Sequence, residues 1–212
     1  MNSQKKIVRK TFRHGDLRRA LLDAGIELAR HGGPDAVVLR EATRRAGVAP
    51  NAAYRHFASH SDLLYAVRAH ALSELALAIE SEIVGIRRTR NPEDLARATL
   101  RAVGTGYLKF ALAESGLFRT AFSVPDKVEE DRDVTKTGRR GLNPFQLLTS
   151  ALDMMVKTGV LPKQRRPGAE YLAWSAVHGL AFLIIEGPLS GASDKKVQAL
   201  SERLLQMVER GL

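Results

Sequence analysis

Polar side chains with the chemistry to bind nucleic acid are concentrated at residues 50–57, Pro-Asn-Ala-Ala-Tyr-Arg-His-Phe. In a helix, Ala53 and Phe57 share one face, whereas Asn51 and Arg55 share the opposite face. Amide and guanidinium groups form paired hydrogen bonds with base edges and phosphates. A helix of two turns is unstable alone in water, so other elements must hold its apolar face.

A second group of side chains in the later part of the chain is aromatic, with few polar atoms. Such side chains line pockets for small organic molecules, although any one of them can equally be an ordinary core residue. His178 has two interpretations, a hydrogen bond to a bound ligand or one to a neighbouring backbone carbonyl. The candidate ligand-binding residues are Tyr107, Phe110, Phe145, Trp174 and His178.

Catalytic and metal sites find little support in the sequence. The chain has no cysteine, which excludes disulfides, thiolate metal sites and cysteine nucleophiles. His178 and Glu186 lack a third ligand or a nucleophile at suggestive spacing. We therefore expect a protein that is not an enzyme and that has no metal or cofactor.

The distribution of charge favours a polyanionic partner. The net charge is +10, and residues 1–57 hold 12 Lys/Arg against 5 Asp/Glu, an excess of +7. A basic region attracts nucleic acid, although it can also be a solubilising surface. No apolar run is long enough to span a membrane, and residues 1–14 lack a signal-peptide apolar region, so we expect a cytoplasmic protein without a membrane partner.

The elements that must position these side chains are helices. Ser59 and Asp62 fit a capping box at the start of one helix, and Asn91-Pro92 begins another. The charged residues 125–142 lack periodicity and predict a flexible loop. No strand pattern is present, so the fold class is all-α. The spacing of apolar residues predicts helices at 16–31, 39–46, 50–57, 59–85, 92–113, 115–122, 143–157, 168–187 and 193–210.

Three of the predicted helices form a helix-turn-helix unit. Helices 39–46 and 50–57 are joined by a tight turn at Gly47, and helix 16–31 offers an apolar face that can pack against both. The second helix of such a pair enters the major groove of DNA. The sequence thus predicts a DNA-binding domain with a basic N-terminal arm at residues 1–68 and a helical bundle at residues 69–212.

The N-terminal domain also resembles a known family. Residues 14–68 are similar to the DNA-binding domain of the TetR family of transcriptional regulators. The most specific matches are Ala46-Gly47-Val48, the Tyr54-x-x-Phe57 pair and the Ser59-to-Leu64 run.

The resemblance assigns DNA contacts position by position. His60 stands where the family often has a lysine, and a histidine carries less positive charge at pH 7. Val38 and Ala49 replace the usual hydroxyl residues, which puts local helix capping in doubt. Tyr54 could alternatively be a core residue. The arm at residues 5–14 could alternatively lie in the minor groove of DNA. The implied DNA-binding residues are Arg40, Pro50, Asn51, Tyr54, Arg55, His56 and His60.

The C-terminal half resembles a TetR subgroup with a Trp–His–Gly pattern, present here as Trp174, His178 and Gly179. The resemblance implies a bundle that forms a homodimer through helices 168–187 and 193–210 and surrounds an effector cavity. We expect an organic effector that is largely apolar and neutral or weakly charged, because no cluster of charged residues is visible at inward positions.

Together these features predict a ligand-responsive repressor that binds a palindromic double-stranded DNA operator as a dimer. Helix 59–85 belongs to both predicted domains and is the expected lever between effector and DNA. Two alternatives remain: a protein that coats DNA without sequence preference, and an enzyme or carrier built on the C-terminal bundle.

Overall fold

The computed structural model describes residues 14–87, 89–125 and 127–212, apart from the side chains of residues 14–16 and 50. Within these ranges the chain is helical and has no strand, which confirms the all-α fold class. Short 3₁₀ turns occur at Pro34–Ala36, Val134–Lys136 and Lys163–Arg165. The α-helices are α1 (His14–Gly32), α2 (Leu39–Ala46), α3 (Pro50–Ala53), α4 (His60–Val84), α5 (Pro92–Ala113), α6 (Ser115–Ala121), α7 (Pro144–Lys157), α8 (Ala169–Ile185) and α9 (Asp194–Gly211).

The helix-turn-helix unit is formed by α1, α2 and α3. Gly47 joins α2 to α3 with a φ of 70°, a left-handed conformation that glycine adopts without steric cost. The Val48 amide then donates to the Thr43 carbonyl at 3.1 Å, which closes the turn. Ala53 and Phe57 are buried against α1 and α4, as the helical spacing predicted.

Helix α3 is shorter than the predicted helix 50–57, and that prediction is wrong in length. Residues 54–56 form a turn instead. The amides of His56 and Phe57 both donate to the Ala53 carbonyl, each at 2.9 Å. This shared acceptor tightens the backbone and turns the Phe57 side chain into the core, where it is 2% exposed.

Helix α4 connects the two halves of the molecule. Its capping box is confirmed, because the Asp62 amide donates to Ser59 Oγ at 3.1 Å and the Ser59 amide donates to Asp62 Oδ2 at 3.2 Å. The helix has 25 residues, which corresponds to a length of about 37 Å. Residues 54–59 separate its start from the end of α3, and it packs against α1 in the first half of the molecule and against α5 and α7 in the second.

The bundle consists of α4, α5, α7, α8 and α9, with α6 between α1, α4 and α5. Asn91 caps α5, and Asn143 with Gln146 forms a capping box at the start of α7. Buried side chains form one continuous apolar core that extends from Leu21 in α1 to Leu205 in α9.

The prediction of a flexible loop at 125–142 is wrong for the described residues of that segment. Both carboxylate oxygens of Glu80 accept hydrogen bonds from backbone amides, those of Arg139 and Arg140, each at 2.9 Å. Lys136 is also buried. Lys136 pairs with Asp131, and Asp133 accepts a hydrogen bond from the Tyr65 hydroxyl of α4, so part of this charged segment is held against α4.

Candidate functional site

The exposed face of α3 and the turn after it carries the predicted DNA-binding side chains. Asn51, Tyr54 and Arg55 are exposed, whereas His56 is half-buried. Tyr54 is 57% exposed, which excludes its alternative interpretation as a core residue. Pro50 begins α3, but its side chain lies outside the described part of the chain, as do residues 5–13 of the N-terminal arm.

The neighbouring helices add two further predicted residues. Arg40 is exposed in the first turn of α2, and His60 is exposed as the first residue of α4. Val38 precedes α2 and Ala49 precedes α3, and neither provides a side-chain cap. The helix-turn-helix unit therefore depends on its buried side chains and on the Gly47 turn rather than on hydroxyl caps.

The other two arginines of α2 have partners within the helix. Arg44 donates to Glu41 at 2.6 and 2.8 Å, and Arg45 donates to Glu41 at 3.3 Å. The hydrogen bond from Arg44 lowers the pKa of Glu41 to about 2, so the carboxylate is ionised at neutral pH. Arg44 and Arg45 are both exposed, and these contacts pair them with Glu41 on the surface of α2.

A cavity of about 450 Å³ lies in the bundle, between α4, α5, α7, α8, α9 and the segment after α6. Four of the five predicted ligand-binding residues line it, and they come from α5, α7 and α8. Phe110 does not line it and instead lies in the core. The principal aromatic and aliphatic residues that line the cavity are Tyr107, Phe122, Phe145, Leu148, Trp174, Val177 and Leu205.

Three side chains of the cavity wall, Trp174, Tyr107 and His178, form a hydrogen-bonded relay. The Trp174 indole Nε1 donates to the Tyr107 hydroxyl at 3.0 Å, and that hydroxyl lies 2.7 Å from Nδ1 of His178. The partner of His178 is thus a side chain, and not the backbone carbonyl considered in one sequence interpretation. Burial raises the pKa of Tyr107 and lowers the pKa of His178, which favours the neutral form of both groups.

Charged groups also face the cavity, so the expectation of no inward charges is wrong. Arg68 is 4% exposed, lines the cavity and donates to the Val124 carbonyl at 2.8 Å. Lys136 pairs with Asp131 at 2.6 Å, and both residues line the same space.

The sequence contains a signal for Arg68, because it lies four residues from Leu64 and from Leu72 on one stripe of α4. Phe122 lies on the cavity wall between the rings of Trp174 and His178, with centroids 5.8 and 5.0 Å away. Phe122 is not among the five ligand-binding residues that the sequence suggested.

Helix α6 joins the cavity to the helix-turn-helix unit. A Cβ atom on Gly116 would lie 2.2 Å from the carbonyl oxygens of Ala29 and Arg30 in α1, so this contact requires glycine. Arg119 lies against Gly33 and pairs with Glu186 after α8 at 3.3 Å. The side chain that follows this helix, Phe122, is in the cavity wall.

The described residues include no group of three or more His, Cys, Asp or Glu residues that could hold a metal ion. Over the same part of the chain, no helix combines the length and apolar character needed to cross a bilayer.

Several solved structures share this fold. A protein of unknown function from Rhodococcus sp. RHA1 is 24% identical, with a TM-score of 0.72 and coverage of 96% of this chain and 98% of that one. The TetR family transcriptional regulator PfmR from Thermus thermophilus is 20% identical, with a TM-score of 0.56 and coverage of 91% and 98%. RolR, solved with resorcinol, is 17% identical, with a TM-score of 0.56 and coverage of 91% and 87%. Among curated proteins, none matches.

Family models match both halves of the chain. Residues 21–67, which include α2 and α3, match the model described as bacterial regulatory proteins, tetR family. Residues 100–208, just over half of the chain, match the tetracyclin repressor-like C-terminal domain. The finer assignment to a Trp–His–Gly subgroup stays a prediction. With its exposed recognition helix, its C-terminal cavity and both family matches, the chain belongs to the TetR family and is a ligand-responsive DNA-binding transcriptional regulator.

Proposed function

We propose that this regulator is a repressor that binds a palindromic operator as a homodimer and releases it when an organic effector fills the cavity. The observation that carries this proposal is the position of α4. The helix starts with His60, separated from the end of the recognition helix by residues 54–59, and about two to three turns later it lines the cavity with Arg68 and Leu72. A ligand that contacts α4 can therefore change the position of the DNA-binding surface.

On DNA, Asn51 and Arg55 are assigned to base edges in the major groove. Their amide and guanidinium groups form the bidentate hydrogen bonds that distinguish bases. Tyr54, His56, Arg40 and His60 are assigned to the phosphates on either side of the groove, and Pro50 to the start of the inserted helix.

Exposed apolar residues on α8 and α9 support the homodimer. Leu172 is 62% exposed, Phe182 is 53% exposed, and Met207 is exposed as well. Gly179 lies on the same side of α8, with open space where its Cβ would be. Glycine inside a helix costs about 1 kcal/mol relative to alanine, and close packing against the same helix of a second copy would explain its presence.

A single substitution tests the dimer. Phe182→Glu would place a charge in the proposed interface, and we expect a shift towards monomer in sedimentation equilibrium together with loss of operator binding. Val84→Glu is the matched control, because Val84 is likewise an exposed apolar residue, at the end of α4. A wild-type monomer at micromolar concentration, or equal behaviour of the two variants, contradicts this interface.

The switch requires an effector that prefers one arrangement of the two domains. Two recognition helices of a dimer fit one DNA face when they lie about 34 Å apart, one helical turn. A ligand in the cavity contacts α4 directly and α6 through Phe122, and both helices pack against α1. Typical coupling energies of about 1–3 kcal/mol correspond to a roughly 5–150-fold change in operator affinity.

Selection of operators from random DNA with the purified protein tests the DNA-binding part of the proposal. We expect enrichment of an inverted repeat. Equal affinity for selected and random DNA would instead indicate a protein that coats DNA without sequence preference.

The effector part of the proposal is tested with compounds found by thermal-shift screening, which are titrated with and without operator. Effectors bind more weakly in the presence of operator by the coupling factor, because linkage is reciprocal. Equal binding excludes a compound as an effector, and turnover of a bound compound would favour the enzyme alternative.

A further inference from the structure

We infer that the effector is a neutral molecule with an apolar body and a carbonyl oxygen that accepts a hydrogen bond from Nε2–H of His178. This inference rests on the proposed effector cavity and specifies the chemistry that the cavity selects. It follows from the direction of the hydrogen bonds in the relay of Trp174, Tyr107 and His178.

The direction of the hydrogen bonds in this relay is set by Trp174. An indole N–H can only donate, so the Tyr107 oxygen accepts the hydrogen bond from Trp174 at 3.0 Å. The Tyr107 hydroxyl is buried and has one hydrogen of its own to donate. The nitrogen that faces it at 2.7 Å is Nδ1 of His178.

The opposite direction would leave a buried donor unsatisfied. If Nδ1 carried a proton and donated to Tyr107, the Tyr107 hydrogen would need another acceptor, and the described residues offer none to it. Nδ1 is therefore the acceptor. Because burial disfavours the charged imidazole, the one ring proton of His178 is on Nε2.

Nε2–H is thus the donor that His178 retains. None of the hydrogen bonds among the described residues involves this nitrogen, although the ring lines the cavity. The rings of Phe118 and Phe122 lie beside the imidazole, with centroids 5.4 and 5.0 Å away, and they have no acceptor atom. A ligand with an acceptor at this position completes the relay.

The other charged groups of the cavity wall favour a neutral ligand. Lys136 is paired with Asp131, Arg101 is paired with Glu209, and Arg68 donates to the Val124 carbonyl. An anionic ligand would have to compete with these acceptors, whereas a carbonyl compound leaves them in place. The apolar body would contact the aromatic wall formed by Phe122, Phe145 and Trp174.

The tautomer is tested first, in the full-length wild-type protein and without any ligand. Nitrogen-15 NMR of labelled histidine distinguishes the two neutral forms and the imidazolium. We expect neutral Nε2–H at His178 at pH 7.5. A proton on Nδ1, or on both nitrogens, overturns the inference and leaves the proposed effector cavity intact.

The ligand class is tested with three naphthalene probes that carry a planar substituent: 2-acetylnaphthalene, 2-isopropenylnaphthalene and 2-naphthoate. Calorimetric titration of the wild-type protein should show the ketone bound about tenfold more tightly than the isosteric hydrocarbon. The naphthoate should bind no more tightly than the ketone. Equal binding of ketone and hydrocarbon overturns the hydrogen bond, and tighter binding of naphthoate overturns the neutral class.

Variants separate the hydrogen bond from packing. His178→Phe should remove the preference for ketone over hydrocarbon, and Tyr107→Phe should reduce it because the tautomer is no longer fixed. Phe145→Leu is the control, since it changes the apolar wall and should weaken both probes equally. If His178→Phe does not fold, His178→Gln takes its place. Failure of every probe to bind wild-type protein counts against the cavity as an effector site, and the inference falls with it.

Discussion

The DNA-facing surface and the cavity are built in opposite ways. The proposed DNA contacts from Arg40 to His60 lie within one short stretch of sequence and are mostly exposed. The cavity combines side chains from Arg68 to Val208, which meet only after five helices have packed. A local motif therefore determines the first site, whereas tertiary packing determines the second. Mutations should separate the two regions, except where α4 and α6 join them.

The largest effect is expected from Phe57→Ala, which empties the core position beneath the recognition helix. Deletion of a buried aromatic side chain costs about 3–5 kcal/mol. Urea unfolding followed by circular dichroism should show early loss of helix, and DNA binding should disappear. Trp174 is the only tryptophan and lies in the bundle, so its fluorescence should change at the same urea concentration as in the wild-type protein. Coincident early transitions would show that the two regions unfold as one unit.

The same contrast explains which features the sequence predicted. The all-α class, the Ser59–Asp62 cap and the inward positions of Ala53 and Phe57 depend on neighbours within a few residues, and the structure contains all of them. The end of α3 could not be predicted, because the shared Ala53 carbonyl depends on where Phe57 enters the core.

Features that depend on distant partners were missed. Arg68 is not among the candidate residues, because its acceptor, the Val124 carbonyl, lies 56 residues away in the sequence. Residues 125–142 looked unstructured, although Glu80 holds two of their amides. Phe110 has the aromatic type and the helix expected of a cavity residue, yet it packs into the core. Residue type alone does not indicate which side of a buried helix faces an open space.

The next effect concerns the contact between the two regions. Gly116→Ala would bring a methyl group against two carbonyl oxygens of α1 and force α6 to move. Overpacking of this kind costs about 1–3 kcal/mol of stability. We expect altered operator affinity together with altered binding of 2-acetylnaphthalene, because Phe122 follows α6 in the cavity wall. Gly211→Ala is the control, because open space surrounds that position at the end of α9. Unchanged operator affinity in the α6 variant would remove the α1–α6 contact from the switch.

A change confined to the DNA surface should leave the cavity unaffected. Asn51→Ala or Arg55→Ala should weaken binding to the selected operator by about 1–3 kcal/mol, with stability nearly unchanged. Arg90→Ala is the control for Arg55, because it removes the same charge from an exposed position beyond the far end of α4. Fluorescence anisotropy with operator and random DNA measures both affinities. Equal losses on both DNAs would assign the residue to phosphates, and no loss would remove it from the interface.

The smallest effect should come from protons at His178, a half-buried residue whose charge is partly screened by water. Burial lowers the pKa of His178 in the folded protein below its unfolded value of about 6.5. The unfolded chain then binds a proton at a higher pH than the folded chain does. The folded protein must therefore lose stability as pH falls through the unfolded pKa, and the loss is complete below the folded pKa.

Protonation also converts Nδ1 into a donor, which breaks its hydrogen bond from Tyr107. Urea unfolding of the wild type and of His178→Gln between about pH 8 and about pH 5 measures this contribution as a difference in slope. The wild type should lose more stability on acidification than the variant, in which no imidazole titrates at this position. Equal slopes would mean that folding does not change the proton affinity of His178. The buried surroundings of the cavity would then have no effect on the protonation of His178, and in this respect the cavity would not differ from the exposed DNA-facing surface.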